Sequence, residues 1–516
     1  MAAFGKGPNS MASPISAMNA AQTEPRSNVW GVTAIALTIA AAHLLTNGRY
    51  GFHRDELQTL SDALHLDWGF VAYPPFTPVL ERIGMRLFGV SLVGLRLFSV
   101  MAQSAAILIT GMMARELGGS RWAQATAALA TAVAPLALFE GTEFQYSSFD
   151  YLWWVLIAYF VVRLLKSEDA RWCVAIGGVV GLGLLTKYTM AFYAAGVLLG
   201  LLLTNARRYF VSRWFWTGMA LALLLALPNF LWQVRHDFIS LHFLQSIHKR
   251  DVAQGRAQGY WTMQFLLDAT PLSVPLWVGG IIGFWRSTRY RTLFWMYVVP
   301  VATFWLTNAR FYYPAAVYPM LFAMGAVVIE RRLEPLPPLR SRAIKASYLV
   351  VLVLSGLAVS AILIPWQSRG RLRDFALKNN GDLREEIGWE ELAGKVAAIR
   401  DSLPAEQRSD FGIFVWNYGE QGAIEILGRR YNLPAPISVT NSAWLRGYPA
   451  TPPSTLIVLG ASQKFADLVF TGCHIAGHND SLGVENEESK AHPDIFICGA
   501  PRLPWPEFWK TYQSFG

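Results

Sequence analysis

The sequence has 516 residues, which at ordinary domain sizes would make three or four soluble domains. The composition excludes that organisation. Hydrophobic residues are 53% of the chain and charged residues only 15%, too little charge to cover several water-facing globules. The mean hydropathy of +0.30 agrees, and we predict a membrane protein. A net charge of +9 would suggest nucleic acid in a soluble protein, but here the position of the charges is more informative than their sum.

Apolar runs of about 15 to 20 residues, near the length that crosses a bilayer, recur through the first two thirds of the chain. The polar segment 1–28 before them lacks the apolar core of a signal peptide, so we predict a flexible cytoplasmic tail. Residues 29–365 are predicted to form an all-α polytopic bundle of about eleven transmembrane helices. The runs lie at 29–46, 91–113, 122–139, 151–165, 172–186, 189–205, 214–232, 271–285, 292–307, 313–330 and 346–364.

Basic residues between these runs fall on alternate sides, a pattern that sets the orientation of membrane proteins. The loops after the second, fourth, sixth, eighth and tenth runs together carry sixteen Lys and Arg residues and five acidic residues. We therefore predict that these loops and the N-terminus are cytoplasmic. Eleven crossings then place everything beyond Pro365 on the external side of the membrane.

The segment 172–205 decides whether the number of crossings is odd or even, because it is long enough to be taken for one helix. Both of its flanks are basic, whereas a single crossing would put them on opposite sides. We predict that the chain turns back near Thr186-Lys187-Tyr188. Each arm is then about 15 residues, or ~22 Å, long, so Lys187 lies below the outer surface, where a cation usually has an anionic partner.

Two of the predicted external loops are long. The first, residues 49–89, contains amphipathic stretches on either side of Tyr73-Pro74-Pro75, as expected of helices on a bilayer surface. The other, residues 233–270, is rich in histidine and basic residues. Its His242 and His248 lack the i,i+4 spacing of a helical metal site, so we predict surface residues.

Beyond residue 365 the composition becomes that of a soluble protein, and we predict a small periplasmic α/β domain over residues 366–516. The segment 416–420 is interpreted as a connection from a strand to a turn. Cys473 and Cys498 both fall in this domain, and an oxidising compartment makes a disulfide between them a hypothesis. Strands are predicted at 411–418, 455–460 and 494–498, and helices at 389–403, 421–431 and 462–470.

Charged residues gather at the predicted external face. Asp55 and Glu56 follow the first run, Asp150 heads the fourth, and Lys187 and Arg310 supply cations at membrane depth. The carboxylates alone are equally explained as solvated helix ends. Combined with the cations, they suit a reaction in which a lipid-bound phosphate leaves while a hydroxyl is activated. The leaving phosphate needs only its growing negative charge stabilised, and the hydroxyl needs a carboxylate base.

Seven stretches follow one another over about residues 50–330. They are Phe52-His53-Arg54-Asp55-Glu56-Leu57 with Trp68-Gly69 and Tyr73-Pro74-Pro75 downstream, 92–98, 114–119, 147–154, 181–188, 227–233 and 310–319. No single motif is specific, but the ordered set resembles the lipid-phosphate-dependent GT-C glycosyltransferases. Within these it resembles the bacterial branch of the dolichyl-phosphate-mannose protein mannosyltransferase group (family 39). The set is more distantly similar to the aminoarabinose transferases that modify lipid A.

The resemblance implies roles for the charged residues. Asp55 matches the acidic residue of the first external loop, which implies the general base, with Glu56 beside it. Asp150 matches the acidic position of the second external loop, which implies a supporting role in the sugar pocket or in orienting the acceptor. Lys187 and Arg310 match basic positions and are implied to contact the donor phosphate.

Aromatic residues accompany these charges. Tyr312 and Tyr313 are interfacial aromatics that could also line the donor site. Tyr73 is a further candidate to line it, but relatives often carry Lys or His immediately before the Pro-Pro pair. Tyrosine at this position puts a phosphate contact from it in question. No metal ligands are predicted and no cofactor is required, although the acidic sites could hold a divalent ion or act without one.

These inferences predict an integral membrane glycosyltransferase that moves a sugar from a polyprenyl-phosphate carrier to a hydroxyl on the external face, with inversion of the anomeric centre. Its partners would be the lipid-linked donor, a protein, lipid or glycan acceptor, and the bilayer, but not nucleic acid. Two alternatives stay open. A transporter or flippase of lipid-linked sugars would more typically show repeated halves and charges near the midplane. A non-catalytic glycan-binding membrane protein would use Asp55 only structurally.

Overall fold

The structure, a computed structural model, describes residues 26–516, so most of the predicted cytoplasmic tail lies outside the described residues. Helices fill the chain from residue 29 to residue 363. They are α1 (Val29–Thr46), α2 (Arg54–Leu64), α3 (Phe76–Phe88), α4 (Leu92–Glu116), α5 (Arg121–Val133), α6 (Pro135–Phe139), α7 (Tyr146–Ser167), α8 (Trp172–Leu184), α9 (Met190–Leu202), α10 (Arg213–Arg235), α11 (Ile239–Ala253), α12 (Tyr260–Met263), α13 (Val274–Arg286), α14 (Arg291–Leu306), α15 (Tyr318–Leu333) and α16 (Pro338–Leu363).

The bundle agrees with the apolar pattern, because each of the eleven runs contains a helix. Among residues 26–516, five helices are by themselves long and apolar enough to cross a membrane: α1, α4, α7, α10 and α16. Two bent pairs raise the number to as many as 7. One is α9 with the 3-10 helix Asn205–Val211, and the other is Tyr260–Asp268 with Pro271–Arg286. A predominantly helical fold is thus confirmed, while eleven crossings stay a prediction.

The helical segment is interrupted around Lys187, where the basic flanks predict a turn. α8 ends at Leu184 and α9 begins at Met190. α8 packs along α10, and the two backbones touch so closely that a Cβ on Gly177 would lie 2.0 Å from the carbonyl oxygen of Gly218. α9 packs instead along α14. Because the two arms have different partners, Lys187 is held at the apex of the turn.

The C-terminal part is a small α/β domain, as predicted. Its sheet has the order β1-β2-β4-β3; β1 and β2 are parallel, and β4 is antiparallel to both of its neighbours. α18 and α20 cover one face, and α22 and α24 cover the other. The elements are α17 (Arg371–Asn379), α18 (Trp389–Ser402), α19 (Ala405–Ser409), β1 (Phe411–Val415), α20 (Tyr418–Ile426), α21 (Asn441–Leu445), β2 (Thr455–Leu459), α22 (Gln463–Val469), β3 (His474–His478), α23 (Glu487–Ala491), β4 (Asp494–Cys498) and α24 (Trp505–Thr511).

The sheet region contains the hypothesised disulfide and one strand that was not predicted. Cys473 and Cys498 form a disulfide, while Cys173 is free and buried in the bundle. β3, which no sequence pattern predicted, pairs with β4 at the edge of the sheet. The bridge therefore joins the residue before β3 to the last residue of β4.

α2 is buried between the bundle and the C-terminal domain, which corrects the prediction that it lies on a bilayer surface. All residues from Glu56 to Ala63 are buried. α20 crosses it so closely that a Cβ on Gly422 would lie 2.3 Å from the carbonyl oxygen of Leu57. Arg446 forms an ion pair with Asp62 across this contact, with an N–O distance of 2.6 Å. α3 by contrast exposes an apolar row suited to contact with lipid: Val79, Ile83 and Leu87.

Three of the basic loops meet at one end of the bundle. Glu116 pairs with Arg163 at 3.0 Å and with Lys166 at 2.8 Å. Glu330 pairs with Lys345 at 3.4 Å and also accepts hydrogen bonds from Ser120, in the loop after α4. The loops after the second, fourth and tenth apolar runs therefore lie on the same side, as the alternation of charge requires.

Arg96 of α4 connects the bundle, α2 and the C-terminal domain. Its guanidinium is fully buried and donates to both carboxylate oxygens of Glu56, at 2.8 and 2.6 Å. It also donates to the backbone carbonyls of Asn47 at 2.9 Å and Gly51 at 3.0 Å. Glu386 of the C-terminal domain lies 3.5 Å away on the remaining side. Three separate segments thus share one buried cation.

We expect Arg96→Met to lower the free energy of unfolding by about 3–5 kcal/mol, because it leaves Glu56 and Glu386 buried without a cation. Thermal unfolding in detergent, followed by tryptophan fluorescence, measures the change. The control is Arg171→Met, which removes an exposed arginine whose ion pair is with neighbouring Asp169 and should leave the unfolding temperature unchanged. An Arg96→Met protein as stable as this control would contradict the structural role assigned to Arg96.

Candidate active site

A cavity of about 520 Å³ lies where the bundle meets the C-terminal domain. Its walls come from α2, the Pro-Pro loop, the turn between α8 and α9, α11, the loop after α14 and the N-terminus of α20. The loops predicted to be external therefore converge on one space. Six of the predicted site residues line it: Asp55, Tyr73, Lys187, Arg310, Tyr312 and Tyr313. Glu56 and Asp150 are not among the lining residues.

Asp55 is the second residue of α2, and 36% of its side chain is exposed. Its backbone N–H donates to the N-cap residue His53 at 3.2 Å. The hydroxyl of Tyr418 donates to Oδ1 of Asp55 at 2.8 Å. Within residues 26–516 no donor is bonded to the other oxygen, Oδ2. Oδ2 is therefore left to accept a proton from a ligand.

Lys187 is enclosed by aromatic rings. Its ammonium lies 5.2 Å from the ring centre of Tyr146, 5.9 Å from that of Tyr312 and 5.0 Å from that of Tyr313. In the described part of the chain no carboxylate oxygen lies within 4.0 Å of it. The contact ion pair expected of a cation at this depth is therefore absent, and the ring faces replace part of its lost hydration.

Arg310 lines the same cavity, but its charge is compensated. Its Nε and one terminal nitrogen donate to the two carboxylate oxygens of Asp251 at 2.6 and 2.9 Å. Its other terminal nitrogen donates to the hydroxyl of Tyr312 at 2.9 Å. Asp251 belongs to α11 and is itself buried. Arg310 thus ties α11 to the loop after α14, whereas Lys187 keeps an unpaired charge.

Glu56 and Asp150 support the site from outside the cavity. Glu56 faces Arg96 and also accepts the backbone N–H of Phe144 at 2.7 Å. Asp150 is buried in α7, where the indole N–H of Trp154 donates to one oxygen at 3.0 Å and the hydroxyl of Thr189 donates to the other at 3.2 Å. Since Thr189 follows the Lys187 turn, Asp150 anchors the segment that carries the cation.

Tyr73 contributes its ring to the cavity and uses its hydroxyl elsewhere. The hydroxyl donates to Asp62 at 2.6 Å, and the ring centre lies 5.8 Å from that of Tyr146. Burial raises the pKa of Asp62 to about 6, although the charge of Arg446 and the hydroxyl of Tyr73 oppose the shift. Tyr73 is therefore fixed as a wall of the site.

The residues of this site that sequence reasoning missed include Tyr146, Tyr418, Arg250 and Asp251. Tyr418 lies in the segment interpreted as a strand-to-turn connection, and its contact with Asp55 spans 363 residues of sequence. Arg250 and Asp251 lie in the loop that was singled out for its basic and histidine content, so that composition was a usable signal. Within residues 26–516 no group of three or more His, Cys, Asp or Glu side chains has the geometry of a metal site.

Comparisons of sequence agree with this architecture. The dolichyl-phosphate-mannose-protein mannosyltransferase family matches residues 72–232. The lipid A galacturonosyltransferase RgtD of Rhizobium johnstonii is 29% identical over 227 residues, which are 43% of this chain. The match covers 46% of the relative, so the chain spans about half the length of the curated protein that it matches.

Comparisons of structure extend over most of the chain. ArnT from Cupriavidus metallidurans, in a crystal structure with undecaprenyl phosphate, superposes with a TM-score of 0.54, covering 92% of this chain and 99% of that one at 14% identity. The archaeal oligosaccharyltransferase AglB from Archaeoglobus fulgidus gives a TM-score of 0.50, covering 84% of this chain and 69% of that one at 12% identity. At these identities the likeness establishes the fold.

Sequence and fold agree on one class: the chain resembles the GT-C glycosyltransferases, and the resemblance drawn from the ordered motifs is confirmed. The apolar helices and the fold shared with ArnT also make it a multi-pass membrane protein. Its small C-terminal α/β domain is part of the shared fold, since the superposition covers 92% of the chain.

Proposed function

We propose that this protein is a glycosyltransferase that moves a sugar from a polyprenyl-phosphate donor to an acceptor hydroxyl. One observation carries the proposal: Asp55 and Lys187 line the same cavity. The side chain of Asp55 is 36% exposed. The ammonium of Lys187 has no carboxylate in contact among the described residues. A base for the acceptor and a cation for the leaving phosphate are the two groups that this reaction needs.

The reaction is a single displacement. Asp55 takes the proton of the acceptor hydroxyl, and the oxygen of that hydroxyl attacks the anomeric carbon. The bond between that carbon and the phosphate oxygen breaks on the opposite face, so the anomeric centre inverts. The phosphate leaves with the bonding electron pair, and Lys187 stabilises the added negative charge. The products are the glycosylated acceptor, polyprenyl phosphate and a protonated Asp55 that returns its proton to water.

The cage of tyrosines supports a phosphate ligand at Lys187. Holding an ammonium among ring faces without a contact anion is costly unless an anion arrives, and a lipid phosphate supplies that anion. ArnT, which has the same fold, was crystallised with undecaprenyl phosphate. Arg310 is proposed to assist more weakly, because Asp251 already occupies two of its donor groups.

We place the reaction on the periplasmic face of the bacterial inner membrane, where the basic-loop pattern puts the cavity. The similarity to a lipid A galacturonosyltransferase makes polyprenyl-phosphate galacturonose and lipid A the first donor and acceptor to test. The charged site lies at one end of the bundle, which favours a transferase over a transporter with midplane charges. The paired base and cation favour it over a glycan-binding protein.

Asp55→Asn should lower turnover by at least about 100-fold, because the amide cannot take the proton of the acceptor. Release of free polyprenyl phosphate by the purified protein, from labelled donors carrying a uronic acid, a hexose or a pentose, measures the turnover. Asp67→Asn is the matched control: Asp67 lies in the same loop, accepts the indole N–H of Trp232 at 2.7 Å and does not line the cavity. Retained turnover in Asp55→Asn would remove the proposed base.

Lys187→Gln should raise the KM for the donor by about 10- to 100-fold, as expected for loss of a charge-assisted contact with phosphate. Affinity for undecaprenyl phosphate, titrated in detergent, should fall by a similar factor. The control is Lys249→Gln, a lysine of α11 that does not line the cavity. Equal affinities for undecaprenyl phosphate in the two variants would contradict a phosphate site at Lys187.

A further inference from the structure

The C-terminal domain delivers a tyrosine directly to Asp55. Tyr418 is the first residue of α20, whose N-cap Asn417 accepts the backbone N–H of Gly419 at 2.7 Å. Gly419 brings this helix end against α2, since a Cβ there would lie 2.9 Å from the Cβ of Arg54. The phenol of Tyr418 is buried and reaches the wall of the cavity. Two helix N-termini from different domains thus meet at the proposed base.

The direction of the hydrogen bonds at Tyr418 is fixed by its neighbours. Nε of Arg54 donates to the hydroxyl oxygen of Tyr418 at 2.7 Å, and a guanidinium can only donate. The single hydroxyl proton of Tyr418 is therefore free to point at Oδ1 of Asp55, 2.8 Å away. Burial, with the nearby charge of Asp55, raises the pKa of Tyr418 well above its usual value, so the phenol keeps this proton at neutral pH.

Arg54 belongs to α2, but the side chains to which it donates hydrogen bonds belong to the C-terminal domain. Its Nη1 contacts Glu487 and, at 3.1 Å, Glu488. Glu385 lies 3.8 Å from the same nitrogen, and the guanidinium carbon lies 4.9 Å from the ring centre of Tyr418. The domain therefore fixes Arg54 and Tyr418 together, and both are fixed relative to Asp55.

We infer that Tyr418 is a positioning residue for Asp55, so that the C-terminal domain completes the catalytic site. The inference rests on the proposed function, because it assigns a role toward the proposed base. The hydroxyl of Tyr418 holds the carboxylate in one orientation and stabilises its ionised form, leaving Oδ2 to face the acceptor. The strand-to-turn segment 416–420 thereby gains a role in the reaction.

Other groups that face Asp55 set the background for its ionisation. Nε of Arg54 lies 4.0 Å from Oδ1, and Nδ1 of His53 lies 4.0 Å from Oδ2. Three phenols of the other cavity walls lie within electrostatic range of Asp55: Tyr73, Tyr146 and Tyr312. Only the Tyr418 phenol donates a hydrogen bond to this carboxylate among the described residues. Its removal should therefore shift the ionisation of Asp55 while the other groups stay in place.

The test is the pH dependence of kcat/KM, whose acidic limb reports the ionisation of the base in the free enzyme. Tyr418→Phe removes the hydrogen bond that stabilises the ionised carboxylate. The acidic limb should move to higher pH by about one unit or more, with kcat at the optimum reduced about 10-fold or more. The control is Tyr431→Phe, a tyrosine of the same domain that lies outside the cavity; its profile should match the wild type.

A second substitution changes the strength of the hydrogen bond without disturbing the packing of the fold. Placing 3-fluorotyrosine at position 418 preserves the ring and its packing but makes the hydroxyl a stronger donor, so the acidic limb should move to lower pH. Opposite displacements in the two variants are the expected result. An acidic limb that coincides with the wild type in either folded variant overturns the inference, whatever the change in kcat. A wild-type protein that releases no polyprenyl phosphate overturns the proposed function and this inference with it.

Discussion

The buried ion pair of Arg96 with Glu56 is the constraint on which the site depends. Successive residues of an α-helix point about 100° apart, so fixing Glu56 toward α4 turns Asp55 away from the bundle core and into the cavity. The same guanidinium contacts Glu386, which ties the C-terminal domain to this arrangement. A pair of this kind contributes less to net stability than to a single geometry. Here that geometry presents Asp55, and not Glu56, to a ligand in the cavity.

The two cations of the cavity are kept in different states. Asp251 occupies Arg310 with two hydrogen bonds, so this side chain fixes the loop after α14 and orients Tyr312. Within residues 26–516 the ammonium of Lys187 contacts ring faces and no carboxylate, while Asp150 holds the turn through Thr189. Since an ammonium with no contact carboxylate attracts an incoming anion most strongly, the arrangement concentrates anion binding at the apex of the α8–α9 turn, in the same space as Asp55.

Much of this could be predicted from the sequence, because charge and hydropathy report on the membrane. Alternation of basic loops required a turn at Lys187 and placed Asp55, Lys187 and Arg310 on one side, where the structure brings them together. Adjacency along the chain did not reveal that Asp55 and Glu56 diverge, since that depends on the partner of each side chain. Tyr418 escaped prediction because its contact crosses 363 positions. β3 was not predicted because an exposed edge strand with two histidines lacks an apolar alternation.

The proposed reaction requires one cavity to hold a lipid phosphate at Lys187 beside the carboxylate of Asp55. A cryo-electron microscopy structure of the protein in lipid nanodiscs with undecaprenyl phosphate tests it most directly. A phosphate oxygen is expected about 3 Å from the Lys187 ammonium, inside the ring of Tyr146, Tyr312 and Tyr313, with the prenyl chain leaving toward the bilayer. A phosphate bound elsewhere while the tyrosine cage around Lys187 stays empty would contradict it.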